Sequence, residues 1–205
     1  MTSYINADSD TVNLNTVNLD TVNLDTECLG VVLAGGLSSR MGQDKAQLIR
    51  EGKSTQSMLA FSKQMLSDSG INNIIVSGDN YDVPDTVKQC GPVGGILSVL
   101  ARYPQAKSLL ILPVDLPFIT AKALAELRLK GELAQQATHF KDHNIPLFLP
   151  NNGYLELFLA NAFSNNISSN DKHTQGAHQR FKTKGPSIKA LLTQVPHQII
   201  TNKDA

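Results

Sequence analysis

A glycine-rich segment from Leu33 to Lys45, LAGGLSSRMGQDK, has the composition of a phosphate-binding loop. Its three glycines allow backbone N–H groups to approach a polyphosphate closely. Arg40 and Lys45 add two positive charges, which suit the several negative charges of a nucleoside triphosphate. The glycine spacing matches neither the P-loop nor the dinucleotide-binding fingerprint, and the alternative is a plain turn with surface charges. We predict that this loop binds a nucleoside triphosphate.

Asp115 is the second candidate and lies in the sequence PVDLP, residues 113–117. It follows an apolar segment, so we expect it at the same edge of a sheet as the glycine-rich loop. A carboxylate at that edge can hold Mg²⁺, which bridges phosphate oxygens. The alternative is an aspartate that makes only turn or N-cap hydrogen bonds. Beside the glycine-rich loop, we favour the metal.

The sequence GPVGG at residues 91–95 is a third candidate. Gly91, Pro92 and Gly94 stand where a helix is predicted to begin. Glycines at this point allow a base or a sugar to lie against the backbone. A plain turn between a strand and a helix is the alternative.

Other polar residues have weaker signals. Asp85 precedes GPVGG and could accept hydrogen bonds from a base or ribose, or could be a surface charge. His143 could face a substrate or sit in a hairpin turn. His173 and His178 lie in a polar segment and are interpreted as solvated.

The elements that must position these residues alternate along the chain. Apolar runs predict buried strands, and helical spacing or capping residues predict helices between them. The strands are Cys28–Leu33, Ile74–Ser77 and Ser108–Leu112, and the helices are Ser54–Ser69, Gly91 to about Ala101, and one capped by Thr120. This alternation predicts a mostly parallel sheet covered on both faces.

The flanking regions are less regular. After about residue 131 we predict paired strands Ala137–Lys141 and Ile145–Leu149, helix Gly153–Phe163, a mobile loop Asn165–Gly185, helix Pro186–Val195 and strand His197–Ile200. Residues 11–25 contain TVNLN once and TVNLD twice, a period that fits neither a helix nor a strand. We predict that residues 1–26 are a disordered extension, with an added edge strand as the alternative. Residues 27–205 are then a single domain.

The composition excludes several classes of protein. With 18 basic and 18 acidic residues, the chain lacks the basic excess of a nucleic-acid binder. We find no apolar run long enough to span a bilayer and no secretory signal. The two cysteines suggest neither a disulfide framework nor a metal site, so we expect free thiols in the cytoplasm.

The motifs together resemble one family. LAGGLSSRMGQDKAQL, GPVGGILSVL and PVDLPFI are similar to the signatures of the molybdenum cofactor guanylyltransferases and their nucleotidyltransferase superfamily. The resemblance covers roughly Leu29 to Leu149, and more loosely the remainder. The double glycine after Ala34 favours the guanylyl branch, because cytidylyl relatives more often have Ala-Ala-Gly. The resemblance implies a Rossmann-like three-layer α/β/α nucleotidyltransferase fold with a mostly parallel central sheet.

The resemblance also implies a reaction: GMP passes from GTP to molybdenum-molybdopterin, pyrophosphate leaves, and Mg²⁺ assists. Other molybdenum cofactor biosynthesis proteins and acceptor apoenzymes are the further partners it implies. By position, Leu33, Ala34, Gly35 and Gly36 match the nucleotide-binding turn. Lys45 matches the phosphate-contacting lysine, and Asp115 matches the metal-binding aspartate. We expect Lys45, Arg40 and Asp115 to be the catalytic residues.

The chain departs from the family pattern at several points. Ser77 stands where relatives often have asparagine, and Asp85 aligns with a guanine-side aspartate only if one residue is deleted. The Asn-x-Asn-Thr-Pro motif is absent, so we expect a domain without its C-terminal end. Two alternatives stay open: a related nucleotidyltransferase that uses CTP or another phosphorylated acceptor, and a nucleotide-binding protein without turnover.

Overall fold

A computed structural model describes residues 28–35, 45–50, 56–88, 90–167 and 185–201. The TVNLD repeats, Gly36, Arg40, His173 and His178 lie outside the described residues, as does most of the loop predicted over Asn165–Gly185. Predictions about these segments therefore stay predictions.

Within the described ranges, six strands form the central sheet. They are β1 (Cys28–Leu33), β4 (Ile74–Ser77), β5 (Ser108–Pro113), β6 (Ala137–Phe140), β7 (Leu147–Pro150) and β8 (His197–Ile200). Two short strands, β2 (Ile49–Arg50) and β3 (Gln56–Ser57), pair separately. The order across the central sheet is β4-β1-β5-β7-β6-β8.

The pairing makes this sheet mostly parallel, as predicted. Strand β1 is parallel to β4 and β5, and β6 is parallel to β8. Strand β7 alone runs in the opposite direction, antiparallel to β5 and β6. The carboxyl ends of β4, β1, β5, β6 and β8 therefore lie at one edge of the sheet, and the turn from β6 into β7 lies there too.

The helices are α1 (Met58–Asp68), α2 (Gly91–Arg102), α3 (Ala121–Ala134), α4 (Gly153–Ile167) and α5 (Ile188–Leu192). Thr120 caps α3 as predicted, because its hydroxyl accepts from the Ala123 N–H at 3.2 Å. No helix in the part of the chain that the structure describes is both long and apolar enough to cross a membrane.

Two predicted helix starts are wrong. The first helix begins at Met58 and not at Ser54, because Gln56–Ser57 forms β3 and Ser57 then caps the helix. The last helix begins at Ile188, since the Ser187 hydroxyl accepts from the Ala190 N–H. Pro186 therefore precedes the cap and does not occupy the first helical turn.

Each face of the sheet carries its own core, because strand side chains alternate between faces. Leu29, Val31 and Leu33 of β1 point into a cluster with residues of α2, α4 and α5. Val32 points the other way, into a cluster with residues of α1 and α3. This is the predicted three-layer α/β/α arrangement, and it fixes the strand ends that carry the site.

Candidate functional site

Strands β4, β1 and β5 end side by side, which brings their following loops together. Leu33, the last residue of β1, is level with Ser77 of β4 and Pro113 of β5. The Val114 N–H donates to the Leu33 carbonyl at 3.2 Å, so the segment leading to Asp115 stays next to the loop after β1. The predicted convergence of the two strongest motifs is thus present.

The first residues of the glycine-rich loop are bonded to the neighbouring strand. The N–H groups of Ala34 and Gly35 both donate to the carbonyl oxygen of Ser77, at 2.9 and 3.0 Å. We expected these N–H groups to contact phosphate, and the described conformation uses them to anchor the loop instead. The reason is the parallel pairing of β1 with β4, which places the Ser77 carbonyl directly beside the loop.

Ser77, the last residue of β4, is buried between β4 and the start of α2. The residue is 1% exposed, and its hydroxyl lies 2.9 Å from where a Cβ on Gly95 would stand. A side chain at that point of α2 would crowd the Ser77 hydroxyl, so the absence of one lets α2 lie close to β4. Ser77, which we expected to contact the nucleotide, is thus a buried residue whose hydroxyl faces α2.

Asp85 lies beside both glycine-rich segments. One carboxylate oxygen is 3.5 Å from the Cβ position of Gly35, and the other is 3.8 Å from that of Gly95. Partial burial, and then the charge of Asp79, raise the pKa of Asp85, while Lys88 lowers it. Asp85 is thus a carboxylate set between the loop and the start of α2, where two oxygens can accept hydrogen bonds from a ligand.

The first turn of α2 has an exposed side and a buried side. Gly91 and Pro92 are exposed, and Gly91 has φ +63°, a left-handed conformation that favours glycine. Gly94 is buried, and a Cβ there would lie 2.7 Å from the Cβ of Cys90. Gly91 and Pro92 are therefore the members of GPVGG that a ligand can reach.

Lys45 and Asp115 are brought together by the fold, although 70 residues separate them in sequence. Lys45 opens a short 3₁₀ turn, Lys45–Gln47, and Asp115 follows β5. The lysine ammonium donates to the aspartate Oδ2 at 2.9 Å, and the two side chains are 44% and 52% exposed. Because exposed ion pairs are weakly held, a phosphate and a cation can each replace one partner.

The donor set at Asp115 suits a hard cation that also binds phosphate. Among the described residues, no cluster of three or more histidine, cysteine, aspartate or glutamate side chains could hold a metal alone. Mg²⁺ is typically held by one or two carboxylates together with substrate phosphates and waters. Asp115 fits that pattern as a single protein ligand.

His143 lies in the turn between β6 and β7, and His139, which the sequence analysis did not single out, lies in β6 just before that turn. The His143 N–H donates to the Phe140 carbonyl, so the hairpin-turn interpretation of His143 is correct. His139 is buried, and its Nδ1 lies 2.8 Å from the His143 carbonyl oxygen and 2.9 Å from that of Phe140. Its ring also stacks on His197. The strand around His139 is buried throughout, and its sequence contains no motif that would have indicated this role.

Fold and site together define an α/β protein with a paired lysine and aspartate beside a glycine-rich loop, at the carboxyl edge of its parallel strands. Residues 30–162 match the family described as the MobA-like NTP transferase domain. This range is more than half of the chain, and the chain therefore belongs to that family.

Particular relatives agree with this assignment. A molybdenum cofactor guanylyltransferase from Xanthomonas euvesicatoria pv. vesicatoria is 37% identical over 123 residues, which are 58% of this chain and 62% of that protein. The match thus spans less than two thirds of the relative.

Solved structures share the fold. Molybdopterin-guanine dinucleotide biosynthesis protein A from Archaeoglobus fulgidus has a TM-score of 0.56 at 17% identity, over 84% of this chain and 83% of that one. Rv0371c from Mycobacterium tuberculosis has a TM-score of 0.53 at 18% identity, over 86% and 89%. At these identities the likeness concerns the fold alone, and the predicted fold class is confirmed.

Proposed function

We propose that this protein transfers GMP from GTP to molybdenum-molybdopterin, which forms molybdopterin guanine dinucleotide and releases pyrophosphate. The observation that carries the proposal is the pair Lys45 and Asp115 beside the glycine-rich loop. Family membership and the printed name of the 37% identical relative support the choice of reaction.

The ion pair supports distinct roles for its two members. When GTP binds, the Lys45 ammonium exchanges the Asp115 carboxylate for phosphate oxygens and holds the pyrophosphate that leaves. Arg40 is proposed to assist it, by its place in the loop sequence. Asp115 is then free to hold Mg²⁺, which when bound would supply positive charge to the phosphates.

The transfer itself needs no covalent intermediate. A phosphate oxygen of the acceptor attacks the α-phosphorus of GTP in line, and the bond to the bridging oxygen of pyrophosphate breaks. Pyrophosphate leaves with the electron pair of that bond. No general base is required, because a phosphate monoester with a second pKa of about 6 is already ionised near neutral pH.

Asp85 supports guanine as the base. Guanine presents two adjacent N–H donors, N1–H and the N2 amino group, and a carboxylate can accept from both. Cytosine has an acceptor beside its single amino group, which a carboxylate would repel. The position of Asp85 between Gly35 and Gly95 therefore favours GTP over CTP.

Calorimetric titration with GTP, CTP and ATP in Mg²⁺ tests the nucleotide, and pyrophosphate release with molybdenum-molybdopterin tests the reaction. We expect a clear preference for GTP that Lys45→Ala abolishes, followed by release on addition of the acceptor. A preference for CTP would contradict the guanylyl assignment. GTP binding without pyrophosphate release would indicate a nucleotide-binding protein without turnover.

The wider setting follows from the same proposal. The product would serve apoenzymes that use the dinucleotide cofactor, so these and other cofactor biosynthesis proteins are the proposed partners. Cys28 and Cys90 are both free thiols, which is consistent with a cytoplasmic location.

A further inference from the structure

The connection between β4 and α2 folds back against β4 in a tight turn. The Gly78 N–H donates to the Val83 carbonyl at 2.9 Å, and the Val83 N–H donates to the Val76 carbonyl at 3.1 Å. The Asp82 carboxylate accepts from the Val76 N–H at 2.9 Å and holds the same turn against the strand. This turn leads into Asp85, whose carboxylate lies beside both glycine-rich segments.

An ion pair ties the tip of this turn to the segment before α2. The Lys88 ammonium donates to Oδ1 of Asp79, and the two side chains are 64% and 56% exposed. The Asp79 carboxylate also accepts from the backbone N–H of Asp85. On the other side of Asp85, the Thr86 N–H donates to the Ser98 hydroxyl of α2 at 2.9 Å. Asp85 is therefore held through its own backbone by Asp79 and through the next residue by α2.

We propose that Asp79 and Lys88 are positioning residues for Asp85, which keep its carboxylate directed toward the nucleotide base and able to accept hydrogen bonds. The inference rests on the proposed function, in which Asp85 accepts from guanine. Asp79 supplies the contact to the Asp85 backbone, and Lys88 holds Asp79 in place and offsets its negative charge. Without Lys88, an uncompensated Asp79 would repel the charged form of Asp85.

The two members of the pair act on Asp85 in opposite directions. Burial is the largest cause that raises the pKa of Asp85, the Asp79 charge raises it further, and Lys88 lowers it. The Cys90 thiol is a further titratable group near Asp85, and burial and then the Asp85 charge raise the pKa of that thiol. Removing Asp79 should therefore not have the same consequence for nucleotide binding as removing Lys88.

The test is calorimetric titration of the full chain with GTP and CTP in Mg²⁺ over a series of pH values, for Asp79→Asn and Lys88→Met. Asparagine retains an oxygen that can accept from the Asp85 N–H, and methionine retains a long side chain without the charge. The matched controls are Glu126→Gln and Lys130→Met, which remove the partners of a surface ion pair on α3.

Because the four substituted side chains are at least partly exposed, we expect these variants to fold, and urea unfolding checks this. Titration of the nucleotide phosphates is common to every variant, so each pH profile is compared with that of the parent chain.

We expect the parent to lose GTP affinity as the pH falls and Asp85 becomes protonated. In Asp79→Asn this loss should occur at lower pH, since a charge that raised the pKa of Asp85 is gone. In Lys88→Met it should occur at higher pH, because the charge that lowered this pKa is gone. The preference for GTP over CTP should follow the same shifts.

The sizes of these effects follow from the exposure of the pair. Near neutral pH, each change should weaken GTP binding by no more than about fivefold, since exposed ion pairs contribute little. High salt should reduce both pH shifts, because it screens exposed charges. The α3 controls should match the parent.

Shifts in the same direction, or no shift in either variant, would overturn this inference. A loss of GTP affinity in Lys88→Met that is equal at every pH would also overturn it, because Lys88 would then contact the nucleotide itself.

Asp85→Asn keeps the two proposals apart. If Asp85→Asn abolishes the preference for GTP while the pair variants cause no shift, this inference alone fails. If the parent chain does not bind GTP, or if Asp85→Asn leaves the preference unchanged, the proposed function or its assignment of guanine to Asp85 fails instead.

Discussion

The two halves of the sheet present different chemistry at the same edge. Strands β4, β1 and β5 are all parallel, and their carboxyl ends lead into polar, glycine-containing loops with Asp85 and Asp115. Strands β7, β6 and β8 include the one reversed strand, and their edge carries an apolar cleft lined by Phe118, Phe140 and Pro146 among others. Because β7 alone is antiparallel, the turn from β6 into β7 lies next to the carboxyl ends of the parallel strands.

The largest effect should come from removing a charge of the parallel half, the carboxylate of Asp115 that pairs with Lys45. We expect Asp115→Asn at saturating Mg²⁺ to lower the rate of pyrophosphate release by about 100-fold or more, as for other single electrostatic groups. Glu156→Gln, an exposed change on α4, is the control. A rate within about threefold of the parent, less than 1 kcal/mol, would contradict the metal role of Asp115.

Asp85 tests the base side of the parallel half. Asp85→Asn should weaken GTP binding by about 10- to 100-fold, since hydrogen bonds to a charged group contribute about 1.5–3 kcal/mol. The preference for GTP over CTP should fall with it in calorimetric titrations. An unchanged preference would show that another group reads the base.

The raised pKa of Asp85 predicts a pH dependence of the same binding. The charged carboxylate accepts from guanine, so GTP affinity should fall as the pH drops through a value above that of an ordinary aspartate. The effect on stability has the opposite sign, because a raised pKa in the folded state means that folding favours the protonated form. Asp85 therefore contributes to the stability of the folded protein at low pH, and this contribution is lost as the pH rises through the raised pKa. Asp85→Asn should remove this pH-dependent loss of stability.

Gly131 tests the packing of the other half. A Cβ there would lie 2.1 Å from Cδ1 of Phe148 in β7, so Gly131→Ala should lower the free energy of unfolding by about 1–3 kcal/mol. Gly153→Ala is the matched control, since a Cβ on Gly153 meets nothing within 4 Å. Urea unfolding measures both variants. Equal stability of the two would mean that α3 can shift away from β7 at little cost.

Short-range sequence patterns were sufficient to predict the strand bounds in much of the parallel half. Strands β1 and β4 have the predicted bounds, because each is a short, mostly apolar run with a glycine within two residues of its end. Helix starts were less predictable: at Ser54 and Pro186 the local composition suits a helix, yet Ser57 and Ser187 are the caps. Several hydroxyl residues could cap each helix, and neighbouring strands determine which of them does. At the first helix the cap is Ser57, because Gln56–Ser57 forms β3.

The sequence by itself determined the alternation of strands and helices, the glycine-rich loop, and Lys45 and Asp115 as separate candidate residues. These depend on residue type and on spacing within one element. Only the tertiary structure decided that the Ala34 and Gly35 N–H groups bind Ser77, that Asp85 lies between two glycine-rich segments, and that His139 holds the turn. Each of these contacts joins elements whose neighbours are set by the order and direction of strands in the sheet. That order arises from packing of the whole domain, which no local pattern records.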